Sequence, residues 1–586
     1  MNFPAGWEEA NMPGLQRLKA NGITFTHAYS NSVTCSPARA SMLTGLMPPQ
    51  HRVRFKLRYD MPSDKFPQEE LPTDIANWAT VAKAAGYTTV YKGKIDAFKG
   101  PNSTIAKPFE MEKYGFGRWN PPDSGLGNGV PEFGGCTAPE AGNDDRYMRS
   151  RAANESEVAA GLEGALQYVA EVAPLQQPFF LVVSLINPHD ITGYPSQLFT
   201  KAGCDPAWLE GDLPLPPTAG ESLLPTKPYA QWDFNRIFDI LIGPVDTAEK
   251  QRNYVNLYGS LLKVADANLV ELLDALAPLI NDTLIIKTSD HGETGLSHEL
   301  TRQKCYNYYE ESARVPLVYS NPRLFPEPLS SDALVSHIDL LPTLAELLGK
   351  PKIAPFTGLS YASILLGTSS AIQDYVVFSM EDYQIGQAAP PYVQQPSNMM
   401  CIREVDWKYC KYYDNAAEIT KVRSVFEMYN LKADPNESVN LASPYHNRTA
   451  FEEKNYVRLN RKLKEVKRTR LAPRPVVKAI ALTLNVTATA PVKGSPGTVQ
   501  RTGTLVGRPV GNGNFTLTSA GGTSGPIKVV ISSGSGIIRG RATTKGAAIT
   551  VEFTSGTGTY QVIAGKGLKY ADLNNGIVTI LGEAKY

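Results

Sequence analysis

The chain has 586 residues, 42% of them hydrophobic and 20% charged, which is too long for one hydrophobic core and ordinary for a globular protein of two to four domains. Lys+Arg of 58 against Asp+Glu of 57 leave a net charge of +1, so no global field exists to gather nucleic acid or an anionic membrane. No apolar run reaches the roughly 18 residues of a membrane-spanning helix. The opening Met1-Asn2-Phe3-Pro4-Ala5-Gly6-Trp7 has neither the basic nor the apolar region of a signal peptide.

The cysteines at 35, 136, 204, 305, 401 and 410 are scattered and lack zinc-type spacing, which favours free thiols with one or two bridges. Sequons at Asn102, Asn154, Asn281, Asn436, Asn447, Asn485 and Asn514 leave secretion open. The expected compartment is secreted or periplasmic if an N-terminal signal has been lost, and cytoplasmic otherwise.

In chain order, Pro13 to Ala20 reads as a helix leading into the strand Ile23-Thr24-Phe25-Thr26. Ser41 to Leu46 predicts a helix that Pro48 and Pro49 stop, and its N-terminus near Cys35 favours an anion. A helix over Asp74 to Ala85, closed by Gly86, precedes the strand Thr88 to Lys92. The Pro- and Gly-rich region from Gly100 to Tyr147 reads as a long excursion beside a substrate mouth.

A helix over Glu155 to Val172 then leads to Pro178 to Leu185, whose continuous apolar run predicts a strand covered on both faces. That strand ends in Asn187-Pro188-His189-Asp190, and ligands of open α/β sheets bind at the carboxyl ends of strands. A long helix, Ala248 to Leu276, feeds the strand Thr283 to Thr288, which ends in Ser289-Asp290-His291-Gly292. With a further strand, Val315 to Tyr319, and a helix over Asp339 to Leu348, the alternation predicts an α/β fold. Its central sheet is expected to be mostly parallel, with helices on both faces. Beyond Tyr375 the pattern becomes a small α+β subdomain closed by the basic helix Phe451 to Arg470. Short alternating runs from Val477 to Tyr586 predict an all-β barrel or sandwich module. Expected domains are 1–370, 371–470 and 477–586.

Cys35-Ser36-Pro37-Ala38-Arg39 fits C-x-P-x-R, followed by Thr44-Gly45. Alone, such a cysteine is more often a small buried hydrophobe. In the same order along the chain come Gly93-Lys94, Asn187-Pro188-His189, Ser289-Asp290-His291-Gly292, Lys304, and Tyr309-Glu310-Glu311-Ser312-Ala313-Arg314-Val315-Pro316. Trp407-Lys408-Tyr409 and Tyr429-Asn430-Leu431 follow. Together these resemble the type I sulfatases over roughly Pro13 to Arg470. The Gly556 to Tyr560 turn weakly resembles dirigent or allene oxide cyclase barrels.

The resemblance implies hydrolysis of sulfate esters, aryl or small organic, by a formylglycine made from Cys35 by a formylglycine-generating enzyme. It implies a divalent metal, calcium more than magnesium, bound by Asp290, His291 and residue 35. Arg39 would hold residue 35, Lys94 and Lys304 would pair with sulfate oxygens, and His189 would act with Lys304 as general acid. Where the family has a histidine base this chain has Asp96, so Asp96 or His51 is expected to replace it. His298 is a possible substrate-pocket residue, whereas His27, His337 and His446 read as structural.

The family's first strand, with its acidic metal-binding pair, has no counterpart before Pro13, which predicts a gap in the middle of the sheet. A phosphodiester or phosphonate monoester hydrolase with the same machinery is one alternative. A truncated, inactive sulfatase-like or binding protein is the other. No nucleic acid partner and no membrane span are expected.

Overall fold

The computed structural model describes residues 3–585 apart from 60–67, 102–103, 124–132, 136–141, 176, 197–210, 385–386, 388–389, 415–423 and the stretches between strands beyond residue 474. The chain divides into two compact units, Met1–Ala472 and Pro473–Tyr586.

The two main sheets of the first unit's α/β part are built from β1 (Gly22–Phe25), β2 (Thr88–Gly93), β3 (Gly117–Asn120), β4 (Phe179–Ser184), β5 (Ile285–Thr288), β6 (Leu317–Ser320) and β7 (Leu329–Ser331). One is three-stranded and parallel, in the order β3-β2-β4, and the other is four-stranded, in the order β5-β6-β1-β7. β4 runs parallel to β2, with Thr88 opposite Phe179 and Gly93 opposite Ser184. β6 runs antiparallel to both β5 and β1. The α/β class is as expected, and the sheet is divided between β4 and β5.

Around these strands lie α1 (Pro13–Ala20), α2 (Cys35–Thr44), α3 (Trp78–Ala84), α4 (Ala165–Val172), α5 (Ala248–Ala275) and α6 (His337–Leu347). One apolar cluster joins Ile23, Phe25, Leu43, Trp78, Tyr319 and Leu341 on one side of the sheets. A second joins Leu15 and Leu18 of α1 to Leu273 of α5 and Val318 of β6 on the other.

Several boundaries differ from the sequence reading. The expected helix over Glu155 to Val172 is two pieces, Glu155–Ala159 and Ala165–Val172. The break, at Gly161 with φ +80°, turns Glu163 inward to meet the Lys92 amine at 2.8 Å. α3 starts at Trp78 rather than Asp74 because Asn77 caps it, its Oδ1 accepting from the Ala79 N–H at 2.8 Å. α2 begins at Cys35 itself, and Pro48–His51 forms a further short helix instead of a stop.

The C-terminal part of this unit is an antiparallel sheet of β8 (Tyr375–Met380), β9 (Asn398–Glu404), β10 (Trp407–Tyr413) and β11 (Ser424–Asn430). α7 (Ala450–Thr469) covers it, packing Leu459, Leu463 and Val466 on Ile402, Tyr409 and Met428. Cys401 and Cys410 stand directly opposite on β9 and β10 and form a disulfide. Cys35 and Cys305 are free and buried, and Cys136 and Cys204 lie outside the described residues. Among the described residues no helix is long and apolar enough to cross a membrane.

The second unit is a closed antiparallel barrel of eight strands, from Val477–Pro491 to Ile577–Lys585. The first and last strands pair, Val477 opposite Lys585, which removes the open edges of the sheet. The Thr557 to Tyr560 part of its turn lies outside the described residues.

Candidate active site

Cys35 is the first residue of α2, and Arg39 follows one turn later on the same face. The Arg39 guanidinium donates to Asp290 Oδ2 at 2.8 Å, to Ser184 Oγ at 2.8 Å and to the Lys94 carbonyl at 2.9 Å. One side chain thus ties the end of β2, the end of β4 and the residues just past β5 into a single pole.

Two glycines allow this approach. Gly93 has φ +99°, and a Cβ there would lie 2.2 Å from the Ser184 carbonyl oxygen. A Cβ on Gly292 would lie 2.0 Å from the Glu311 carbonyl oxygen. The Gly-Lys and Asp-His-Gly motifs therefore require glycine for packing.

Cys35 Sγ lies 3.3 Å from His291 Nε2. His291 Nδ1 is 2.9 Å from the Gly292 carbonyl, which can only accept, so Nδ1 carries the proton and Nε2 turns its lone pair toward Cys35. Ligand atoms of Cys35, Asp290 and His291 all lie within 4.8 Å of one another. This set fits a divalent cation as three of its ligands, with the His291 tautomer fixed from behind by the Gly292 carbonyl. Calcium takes six to eight ligands, mostly oxygen, by the usual count of about that range, and Asp290 is the one carboxylate in the set.

The electrostatics follow from burial against charge. Burial alone pushes the Cys35 thiol up, but the Lys94 and Lys304 charges, with the adjacent His291 ring, outweigh it and hold the thiol well below its ordinary value. Burial also opposes the Asp290 charge, and Arg39, His291, Lys94 and Lys304 together keep that carboxyl well below the usual range. Lys94 and Lys304 are shifted upward despite burial, each first by the charge of Cys35. The Lys304 amine also donates to Gln303 Oε1 at 2.9 Å. The pole sets the buried Arg39, Lys94 and Lys304 cations beside Asp290 and Cys35, with Asp96 3.6 Å from the Lys94 amine.

His189 lines the same cavity. Burial first, then Lys94, Lys304, Lys56 and His291, push its pKa well below the ordinary value, so the ring is neutral. Its Nδ1 is buried and has no partner, which leaves it free for a ligand.

Asp96 is buried with φ +53°. Its Oδ1 accepts from Ser36 Oγ at 2.7 Å and its Oδ2 from Lys56 Nζ at 2.6 Å, with Lys94 Nζ 3.6 Å away. Asp123 receives the Asp96 backbone N–H at 2.8 Å. Ser36, Lys56, Asp123 and Ser184 carried no sequence signal of their own, since they enter the pole only through contacts between distant segments.

The structure removes two histidines from the chemistry. His51 is fully buried, 2.9 Å from Ser41 Oγ, and its Nδ1 accepts the Val53 N–H. Burial drives its pKa down to about 3. Ser41 lies six residues along α2 from Cys35, about 9 Å at the helical rise, so the expectation that His51 serves residue 35 is corrected. His298 is also fully buried, bonded to Glu221 at 2.9 Å and stacked on Tyr309 at 3.6 Å. It belongs to a structural network rather than to the substrate pocket.

The sulfatase family model matches residues 5–350, and a model of the C-terminal domain of N-sulphoglucosamine sulphohydrolase matches residues 303–469. The chain belongs to the sulfatase family, the sulfuric ester hydrolases. It is 25% identical over 445 residues to a Δ4,5-hexuronate-2-O-sulfatase of Bacteroides thetaiotaomicron, covering 73% of this chain and 79% of that one. It is 25% identical over 453 residues to arylsulfatase K of Xenopus laevis, covering 74% of each. Among solved structures, this sulfatase resembles a 2-O glycosaminoglycan sulfatase, with a TM-score of 0.56 and 19% identity over 78% of this chain and 87% of that one.

Proposed function

We propose that this sulfatase hydrolyses an aryl or small organic sulfate ester at residue 35. The observation that carries the reading is the convergence of Cys35, Asp290 and His291 within 4.8 Å, with Arg39, Lys94 and Lys304 buried around them. As formylglycine, residue 35 would supply a hydrated aldehyde as nucleophile, and a divalent cation on Asp290, His291 and residue 35 would polarise the sulfuryl oxygens.

The chain's own side chains do the rest. Lys94 and Lys304 neutralise the sulfuryl oxygens as charge builds on them, in a site where water screens little. Arg39 fixes Asp290 through the 2.8 Å contact and keeps the end of β4 beside it. The neutral His189 ring orients the ester oxygen by hydrogen bonding. Lys304 carries the proton that the leaving oxygen takes up. Asp96, reached from residue 35 through its neighbour Ser36, takes the proton from residue 35 as sulfate departs.

The test is a side-by-side assay on p-nitrophenyl sulfate and bis-p-nitrophenyl phosphate, with the mass of the tryptic peptide Ala20–Arg39. Sulfate turnover together with an aldehyde at residue 35 supports the reading. Faster phosphodiester turnover assigns the same pole to the alternative substrate class, and an unaltered thiol in a fully active protein overturns the proposed nucleophile. Single-turnover sulfate release that is unchanged in Asp96→Asn removes Asp96 from the proton path.

A further inference from the structure

The segment leading to Lys304 is held in an uncommon backbone conformation. Leu296, His298, Glu299, Leu300 and Gln303 have φ between +53° and +71°, a region that residues other than glycine enter where their surroundings impose it. The Glu293 carboxylate imposes it at the Lys304 end. Its Oε1 accepts the Gln303 N–H at 2.8 Å, while the Thr294 N–H and Oγ1 donate to the Gln303 carbonyl at 2.8 Å and 2.6 Å. Gln303 is buried, and its side chain leaves a backbone bonded on both sides.

That side chain bridges two parts of the pole. Lys304 Nζ lies 2.9 Å from Gln303 Oε1, and Gln303 Nε2 lies 3.0 Å from Thr192 Oγ1. An ammonium has donors and no acceptor, so the amide presents its oxygen to Lys304 and its N–H to Thr192. Thr192 belongs to the short 3₁₀ helix His189–Gly193, in which side chains three residues apart eclipse one another, so it lies on the same face as His189. Arg302 adds a second tie, donating to the Tyr194 carbonyl at 3.2 Å just past that helix. His189, Thr192, Gln303 and Lys304 all line the catalytic cavity.

We propose that Gln303 is a positioning residue for ester cleavage whose amide sets the spacing between the Lys304 amine and the His189 ring. The role rests on Lys304 supplying the leaving oxygen's proton and His189 orienting that oxygen, as proposed above. A proton passes efficiently only within hydrogen-bond reach, about 2.6–3.2 Å between heavy atoms. Lys304 and His189 stand on separate loops, and they meet one oxygen at that reach when their separation is fixed. The Gln303 amide fixes it, so its loss is felt most where the leaving oxygen most needs a proton.

The test uses the full 586-residue protein, coexpressed with a formylglycine-generating enzyme and assayed with calcium on two esters. p-Nitrophenyl sulfate releases a phenolate that is stable without a proton, and 4-methoxyphenyl sulfate releases one that needs it. Gln303→Met keeps the length of the side chain and removes both amide groups. It is expected to lower kcat/KM for 4-methoxyphenyl sulfate by about 10²-fold, the low end of a general acid's contribution, and for p-nitrophenyl sulfate by less than about tenfold. Thr192→Val leaves the contact to Lys304 intact. It is expected to show the same selective loss, Thr192→Ser to restore turnover, and the Gln303→Met, Thr192→Val double variant to do no worse than Gln303→Met alone. Equal losses on the two esters overturn the proposal, and so does a double variant whose losses multiply. A loosened fold gives equal losses, because the folded fraction scales both rates. Lys304→Ala separates the bridge from the roles it serves. If that variant slows both esters equally, Lys304 is not the acid and the proposed proton path falls with the bridge. If it slows 4-methoxyphenyl sulfate selectively while Gln303→Met and Thr192→Val do not, the role of Gln303 alone is overturned.

Discussion

β4, Phe179-Phe180-Leu181-Val182-Val183-Ser184, and β8, Tyr375-Val376-Val377-Phe378-Ser379-Met380, are apolar runs of the same length with nearly the same composition. Both lie at the edge of their sheets. β4 is half-buried throughout, whereas β8 is buried from Val376 to Met380. The difference lies in what stands beside each edge. On β8 the Ser379 N–H donates to the Asn31 carbonyl at 3.0 Å, and Asn31 Nδ2 donates to the Val377 carbonyl at 2.7 Å. Asn31 lies four residues before Cys35, so the loop that leads into Cys35 also finishes the edge of the C-terminal sheet. Beside β4 there is the cavity. A run of apolar residues specifies a strand, and its neighbours decide whether that strand becomes core.

The largest expected effect separates the catalytic pole from the strands that end there. Cys35→Ala is expected to lower sulfate ester turnover by about 10⁴-fold or more, as for loss of a nucleophile, with the Tm unchanged. A fall in Tm that matched the loss of turnover would merge pole and sheet into one effect.

Next comes the comparison itself. Phe378→Ala on β8 is expected to cost about 3–5 kcal/mol in urea unfolding, the usual range for a buried phenylalanine. Phe180→Ala on β4 should cost about half of that, because its ring already faces the cavity and little transfer energy is lost. Equal costs would show that β4 is as well packed as β8.

Arg39→Gln keeps a polar side chain but loses the charge that bridges Ser184 and Asp290. It is expected to lower kcat/KM for p-nitrophenyl sulfate by about 10²–10³-fold, with most of the loss in kcat. A change confined to KM would make Arg39 a substrate-binding group only.

The smallest effect is a slope. His51 is neutral in the folded protein, with a pKa of about 3 set by burial, and returns to about 6.5 on unfolding. Between those values the unfolded chain binds the extra proton, so stability falls as the pH drops from about 6.5, by about 1.4 kcal/mol per pH unit. Above about 6.5 this contribution is fully present. His51→Gln should flatten the stability profile over that window, measured by urea unfolding at stepped pH; an unchanged slope would place the effect on another group.

Much of the site was legible in the sequence. Cys35, Arg39, Lys94, His189, Asp290, His291 and Lys304 were all expected, and the structure gathers them around one cavity. Most sit in the first turns of a helix or just past the end of a strand, near a glycine or proline whose spacing is local and readable. Ser36, Lys56, Asp123 and Ser184 were not expected, because nothing in their local sequence marks them. His51 and His298 looked available for chemistry because composition cannot show that a ring is enclosed on all sides.

By itself the sequence determined the type and order of most strands and helices, the order of the candidate site residues and the change of character near residue 473. Periodicity, caps and glycine positions are local properties, and they survive without knowledge of the fold. Tertiary structure alone decided that the expected gap falls between β4 and β5, that Arg39 ties three distant segments into one pole, and that Asn31 completes one sheet edge while another faces a cavity. These outcomes depend on which surfaces meet, and burial and charge pairing exist only between segments that folding brings together.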